Sequence, residues 1–183
     1  MKVHDSVAAV LFHRPRNSLL FVRQFRPAVW LNRIPDSAIV DGKIDTTKYP
    51  GSLGMTFELC AGIVDKKNLS PAEIMKEEIL EECGYDVPLD SISKFTSFRS
   101  GVGTAGSCQT VFYAEIDDDM IVSSGGGNPA EGESIEVVSV PLAEVLAMIQ
   151  DENVMKPPAM IAAVYWFFIH KAPEYLAVNN NSA

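Results

Sequence analysis

Apolar and polar positions change period several times along the chain, and each change marks an element. Residues 7–12 and 19–25 are runs of aliphatic, β-branched and aromatic side chains. The stretch between them, His13-Arg14-Pro15-Arg16-Asn17-Ser18, is made of turn formers, so the chain is expected to open on a hairpin. From 29 to 54 the periodicity dissolves among Pro35, Asp36, Asp41-Gly42, Pro50 and Gly51, which predicts a long irregular loop of the kind that carries function in compact domains. Further strands are expected at 56–60, 93–98, 110–116 and 135–140, in a mixed or antiparallel sheet. Between the third and fourth strands the spacing becomes helical. Ser70 stands as N-cap, Pro71 at the first helical position and Glu73 closes a capping box, while Gly84 is the natural stop. Two more helices are expected at Leu142–Gln150 and 159–170, separated by a polar turn and Pro157-Pro158. The run Ser123-Ser124-Gly125-Gly126-Gly127 reads as a flexible loop, and 179–183 as a flexible tail. The sum is an α+β chain with one domain over 1–178.

Length and charge narrow the partners. A chain of 183 residues can bury about two-thirds of its unfolded surface in one core. A net charge of −9 argues against unassisted binding to nucleic acid or an anionic membrane, so an anionic substrate has to be met by a few placed cations or by a metal. Cys60, Cys83 and Cys108 are odd in number with no CxxC pair, which suits the reducing cytoplasm better than a disulfide framework. The apolar run 7–12 is too short for a secretory leader, and 159–169 falls short of the ~20 residues that span a bilayer. The latter is expected to be a buried helix.

The candidate chemistry lies on the helix after Ser70. Glu77, Glu78, Glu81 and Glu82 put four carboxylates into six residues, and two pairs repeat the i,i+4 spacing at which like charges each cost roughly 0.2–0.5 kcal/mol. At 100° per residue Ala72, Met75, Ile79 and Cys83 form an apolar stripe, with Glu78 and Glu82 on its flank one turn apart and Glu73 and Glu77 turned away. Hard oxygen donors without histidine or cysteine favour magnesium or manganese, and protein-bound magnesium usually accompanies a phosphate-bearing substrate. Glu78 and Glu82 are the candidate ligands and Glu81 an auxiliary. The alternative is an ordinary solvated acidic face.

These surroundings resemble the Nudix hydrolase box, whose core reads R-E-U-x-E-E-x-G-U with U a bulky apolar residue. Glu78, Ile79, Glu81, Glu82, Gly84 and Tyr85 match it in register, and Gly62 corresponds to the opening glycine with one residue more before the helix. Leu69 stands where the family has a further glutamate, and Glu77, beside Lys76, where it has an arginine. The segments Gln24-Phe25-Arg26-Pro27-Ala28-Val29, Glu58-Leu59-Cys60-Ala61-Gly62 and Glu131-Gly132-Glu133-Ser134-Ile135-Glu136-Val137 look like those of the ADP-ribose and nucleotide-sugar pyrophosphatase branch. Ser100-Gly101-Val102-Gly103 sits where ADP-ribose-cleaving members often have Ser-Pro-Gly, and the missing proline leans toward the UDP-sugar members.

The resemblance implies a mixed sheet sandwiched between helices, α/β/α, and Mg2+-dependent hydrolysis of a nucleoside diphosphate sugar, UDP-glucose to UMP and glucose 1-phosphate, with Mn2+ as a substitute ion. It implies that the Ala61 carbonyl, Glu78 and Glu82 hold the metal and that Glu133 is the general base, with Glu131 second and Glu81 assisting. Arg26, Glu58, Arg99, Ser100 and Gly101 are implied at the substrate, and Phe25, Trp30 and Tyr49 are candidates to stack a uracil. A homodimer is expected, without the N-terminal extension seen in this branch. Two other readings stand beside this one: ADP-ribose hydrolysis, and a catalytically silent module that binds a nucleotide sugar.

Overall fold

The computed structural model describes residues 3–173. Strands β1 (Ser6–His13) and β2 (Ser18–Phe25) pair antiparallel from His13↔Ser18 to Leu11↔Leu20 and then part. The segment expected to be irregular is partly ordered. Helix α1 (Pro27–Asn32) starts on Pro27, and a small hairpin of β3 (Ile39–Val40) and β4 (Lys43–Ile44) follows. Trp30 fixes this segment, its Nε1 donating to the Tyr49 and Pro50 carbonyls at 3.2 Å each.

The single strand expected at 56–60 is two. β5 (Met55–Glu58) pairs with β2 and β6 (Cys60–Ile63) pairs with β1, so the chain divides at Leu59 to fill the wedge between the parted strands. Helix α2 (Pro71–Glu78) follows, then β7 (Ser93–Ser100), β8 (Ser107–Ile116), β9 (Ile135–Pro141), α3 (Leu142–Gln150) and α4 (Pro158–His170). β8 lies parallel to β1 in register from Ser6↔Gln109 to His13↔Ile116, β7 is antiparallel to β8, and β9 is antiparallel to β2 on its other side. The sheet is therefore mixed.

Period-two alternation on β1 sorts the core into two layers. Val7, Ala9 and Leu11 face Ile74, Met75, Ile79 and Cys83 of the α2 segment, whereas Ala8, Val10 and Phe12 face Val145, Met160, Val164 and Phe167 of α3 and α4. The α/β/α sandwich follows from a central strand buried on both sides. In α4, Trp166 stacks on Phe95 at 3.9 Å and Phe167 lies 5.2 Å from Phe12, so these aromatics are core. Among the described residues no helix is long and apolar enough to cross a membrane, and Cys60, Cys83 and Cys108 are free thiols.

Candidate active site

The site forms where α2 meets the wedge. Ser70 accepts from the Glu73 N–H at 3.3 Å and Glu73 accepts from the Ser70 N–H at 2.7 Å, the reciprocal cap anticipated from the sequence. The helix is regular to Glu78 and then widens into a π turn, Ile79–Cys83, before Gly84 ends it at φ +80°. Such widened turns recur at functional sites. Here the turn carries Glu82 inward beside Ile79 and Cys83, leaving its side chain only 3 % exposed.

Strand β6 supplies the other half. The Glu82 carboxylate accepts from the Ala61 N–H at 2.9 Å. Residue pairs on antiparallel strands exchange either both main-chain bonds or neither, so the Ala61 carbonyl, like its N–H, points away from β1 toward the helix. The Glu78 carboxyl lies against Gly62, where an added Cβ would occupy the space of that carboxyl. Only glycine at 62 lets the strand and the helix approach this closely.

A cleft of about 340 Å³ opens over this contact, and Glu58, Glu78, Glu81, Glu82 and Glu133 all line it. Burial, followed by the charges of Glu81 and Glu133, pushes the Glu78 carboxyl up to about 7. Burial pushes Glu82 up to about 8; the Ala61 N–H and the Cys60 thiol pull it down, and Glu78 and Glu133 add to the rise. A half-buried Glu78 and a buried Glu82, both reluctant to ionise and both offering carboxylate oxygens to the cleft, suit a hard divalent cation. Among the described residues no three Asp, Glu, His or Cys side chains close into a metal cage. Glu78, Glu82 and the Ala61 carbonyl are the oxygen atoms at this contact that could hold an ion shared with a phosphate.

The nearby cations are committed. Lys66 pairs with Glu77, the residue in place of the family arginine, and Lys76 pairs with Asp86 at 2.9 Å. Arg26 forks onto Glu58, Nε at 2.7 Å and Nη2 at 2.8 Å, on the wall of the cleft. Burial pushes the Glu58 carboxyl up, but the bonds from Arg26 and Thr56 outweigh it and the net shift is downward. Glu58 is thus ion-paired with Arg26 and orients it on the cleft wall.

A second cavity of about 610 Å³ adjoins the cleft and shares Glu58, Ala61 and Gln109 with it. Arg99, Ser100 and Gly101 line it with Phe98 and the start of α4 at Pro157–Met160. The expected substrate residues are therefore brought together, Arg26 in the cleft and the others beside it. Glu131 ends a 3-10 turn, Pro129–Glu131, and its side chain lies outside the described residues, as does the stretch 179–183. Phe25, Trp30 and Tyr49 line neither cavity; Phe25 packs on Trp30 at 6.0 Å over Gly54, so they serve the 27–54 segment.

Two features escaped the sequence reading. Gln109 faces both cavities and donates to the Ser6 hydroxyl at 3.2 Å. Extending the strand expected at 110–116 backward by its alternation was the available signal. The glycine run 125–127, expected to be flexible, is docked: Gly126 N–H donates to the Glu82 carbonyl at 2.9 Å and Gly127 N–H to that of Glu81 at 3.2 Å. Helix-end carbonyls lack intrahelical partners, and a segment without Cβ atoms can reach them.

A mixed sheet between helices, with a glycine strand end under two glutamates of one helix, defines a Nudix-type hydrolase. Over 181 residues the chain is 42% identical to a uridine diphosphate glucose pyrophosphatase, NUDT14, of Bos taurus, a match covering 94% of this chain and 82% of that protein. It is 34% identical over 150 residues to a GDP-mannose pyrophosphatase of Yersinia enterocolitica, covering 82% of this chain and 66% of the other. The crystal structure of an ADP compounds hydrolase shares the fold, with a TM-score of 0.61 over 92% of this chain and 75% of that one at 14% identity. No protein-family profile matches the sequence. The chain belongs to the Nudix hydrolase family, in the branch that holds these pyrophosphatases.

Proposed function

We propose that the protein hydrolyses the pyrophosphate bond of a nucleoside diphosphate sugar, with UDP-glucose as its preferred substrate and UMP and glucose 1-phosphate as products. The observation that carries this is the contact of Glu78 and Glu82 with Gly62 and Ala61 at the floor of an acidic cleft, in a chain 42% identical to a UDP-glucose pyrophosphatase. Glu78, Glu82 and the Ala61 carbonyl would hold Mg2+, with Mn2+ as substitute. When bound, such an ion lowers the charge of the pyrophosphate and polarises the phosphorus under attack.

The chain's own groups do the rest. Glu133, on the cleft wall, takes the proton of the attacking water, a role worth about 10²–10⁴-fold; Glu131 is the second candidate, and Glu81 assists from the exposed side of the π turn. Arg26, oriented by Glu58, meets the non-bridging oxygens with a planar donor fork. The cavity lined by Phe98, Arg99, Ser100, Gly101 and Pro157–Met160 is wide enough for one end of the substrate. The free thiols accord with a cytoplasmic setting. Homodimer formation belongs to the same reading and is checked by light scattering on the purified protein.

The direct test supplies Mg2+ with equal concentrations of UDP-glucose, ADP-ribose and GDP-mannose and follows UMP, AMP and GMP. UMP is expected to form fastest. Faster AMP release would transfer the assignment to ADP-ribose, and tight binding without any release would make the chain a silent binder. In the same assay Gly62→Ala is expected to lower kcat by about 10²-fold or more, because the new methyl displaces the Glu78 carboxyl by an ångström or more. An unchanged kcat in that variant would remove Glu78 from the metal site.

A further inference from the structure

Gly125, Gly126 and Gly127 have φ of +64°, +121° and +79°, a run of conformations that side chains rarely adopt and that costs backbone entropy to order. The segment is nonetheless held along its length. Upstream, Val122 and Ser123 donate to the Gly84 carbonyl at 2.9 and 3.3 Å; Gly126 and Gly127 then take the carbonyls of Glu82 and Glu81. Cβ atoms have no room at two of the three glycines. At Gly125 one would strike the main chain of Glu82 and Cys83, and at Gly127 one would meet the Glu133 carboxylate at 2.9 Å.

The bonds continue to the far side of the cleft. The Gly126 carbonyl accepts from the Ile135 N–H at 3.0 Å, and the Asn128 carbonyl from the Glu133 N–H at 3.2 Å. The Asn128 N–H donates to Glu133 Oε2 at 3.1 Å. Main-chain bonds therefore lead from the backbone of Glu82 through the glycine segment to Asn128, whose N–H ends the series on the Glu133 carboxylate.

We propose that the glycine segment 125–127 is a positioning strap that indexes the general base to the metal-binding helix, so that Glu133, Glu78 and Glu82 keep fixed relative places through turnover. The inference rests on the reading of Glu133 as base given above and goes beyond it by assigning the element that sets its place. A strap of this kind differs from a plain helix cap in what its loss changes. Losing a cap lowers stability alone. Losing the strap lowers kcat, and does so through Glu133.

Steady-state kinetics and thermal melts of single and double variants separate the two. Gly127→Ala puts a methyl against the Glu133 and Ile135 side chains rather than the helix, and strains the backbone whose N–H holds the Glu81 carbonyl. It is expected to lower kcat about 30–100-fold with KM within about threefold of the parent, as a misplaced catalytic group does. Gly126→Ala, whose nearest outside atom is the Ile135 carbonyl oxygen at 3.8 Å, has room for the methyl and tests the backbone strain alone, with a loss in the same direction. Gly42→Ala, at φ +72° with no atom within 4 Å, controls for the general cost of replacing such a glycine and is expected to keep the parent kcat. Combined with Glu133→Gln, the Gly127→Ala change is expected to bring no further loss, since both remove one function. Multiplying losses in the double variant, or parent-like kcat in Gly127→Ala beside a deep loss in Glu133→Gln, would overturn the strap alone. Full activity in Glu133→Gln would overturn the base assignment and the strap with it.

Discussion

Glu82→Gln is expected to lower turnover about 10³-fold or more and yet to melt higher than the parent at pH 8 in the presence of a chelator. The first effect follows from removing one of the two carboxylates proposed to hold the metal. Metal stabilisation of transition-state charge is worth several kcal/mol, and each 1.36 kcal/mol is tenfold in rate. The second follows from burial. The Glu82 carboxyl, 3 % exposed, is raised from an ordinary 4.5 to about 8. Below about pH 4.5 it is protonated in the folded and the unfolded chain alike and contributes nothing to the difference. As the pH climbs toward 8 the unfolded chain releases this proton and the folded chain keeps it, so stability of the metal-free parent falls across that interval and levels off above it. Glutamine carries no proton to release and its oxygen still accepts from the Ala61 N–H. The two proteins are expected to melt together near pH 5 and to separate by several degrees at pH 8, the variant higher, with Mg2+ narrowing the gap because it binds the parent. A variant that melts lower than the parent at pH 8 in chelator would show that Glu82 is not a strained, metal-awaiting carboxyl.

What could be read in advance follows the range of the interactions. The α2 start was legible because Ser70, Pro71 and Glu73 settle it within four residues, and Gly84 settles the end in the same way. Glu78 and Glu82 stood out because charge repeated at i,i+4 on the edge of an apolar stripe is a local pattern. The π turn that follows Glu78 and contains Glu82 was not legible, since a ladder one residue wider leaves no mark on the side-chain pattern. Burial of Glu82, deeper than the flank position assigned to it, is its consequence. The 100° stripe omits Ile74, which is fully buried, and includes Ala72, which is only half-buried. The division at Leu59 escaped as well: Leu59 belongs to the α3/α4 layer and Cys60 to the α2 layer, a choice made by the two strands that part around them. The glycine run is the sharpest case. Glycine is the residue of loose linkers and also of backbone that must approach other backbone closely, and only the carbonyls of Glu81 and Glu82 at the far end of the contact tell which applies.

Metal affinity is expected to depend on pH more steeply than for a site of ordinary carboxylates. Glu78 at about 7 and Glu82 at about 8 both hold protons that a divalent ion has to displace. Below pH 7 each unit of pH then changes the apparent affinity about a hundredfold, between 7 and 8 about tenfold, and above 8 hardly at all, for a total near 10³ between pH 6 and pH 8.5. The sign is fixed by chemistry: protonation competes with the metal, so affinity rises with pH. Calorimetric titration of the substrate-free protein with Mn2+ in two buffers of different ionisation enthalpy reads the protons released, expected near two at pH 6 and well under one at pH 8.5. Glu82→Gln should cut the limiting slope to one proton, because only Glu78 remains to be displaced. An affinity flat from pH 6 to 8.5 would mean that the ion avoids this pair. Burial of the two carboxyls by Gly62 and Ala61 would then serve packing alone, and the acidic cleft would have to be filled by the substrate without them.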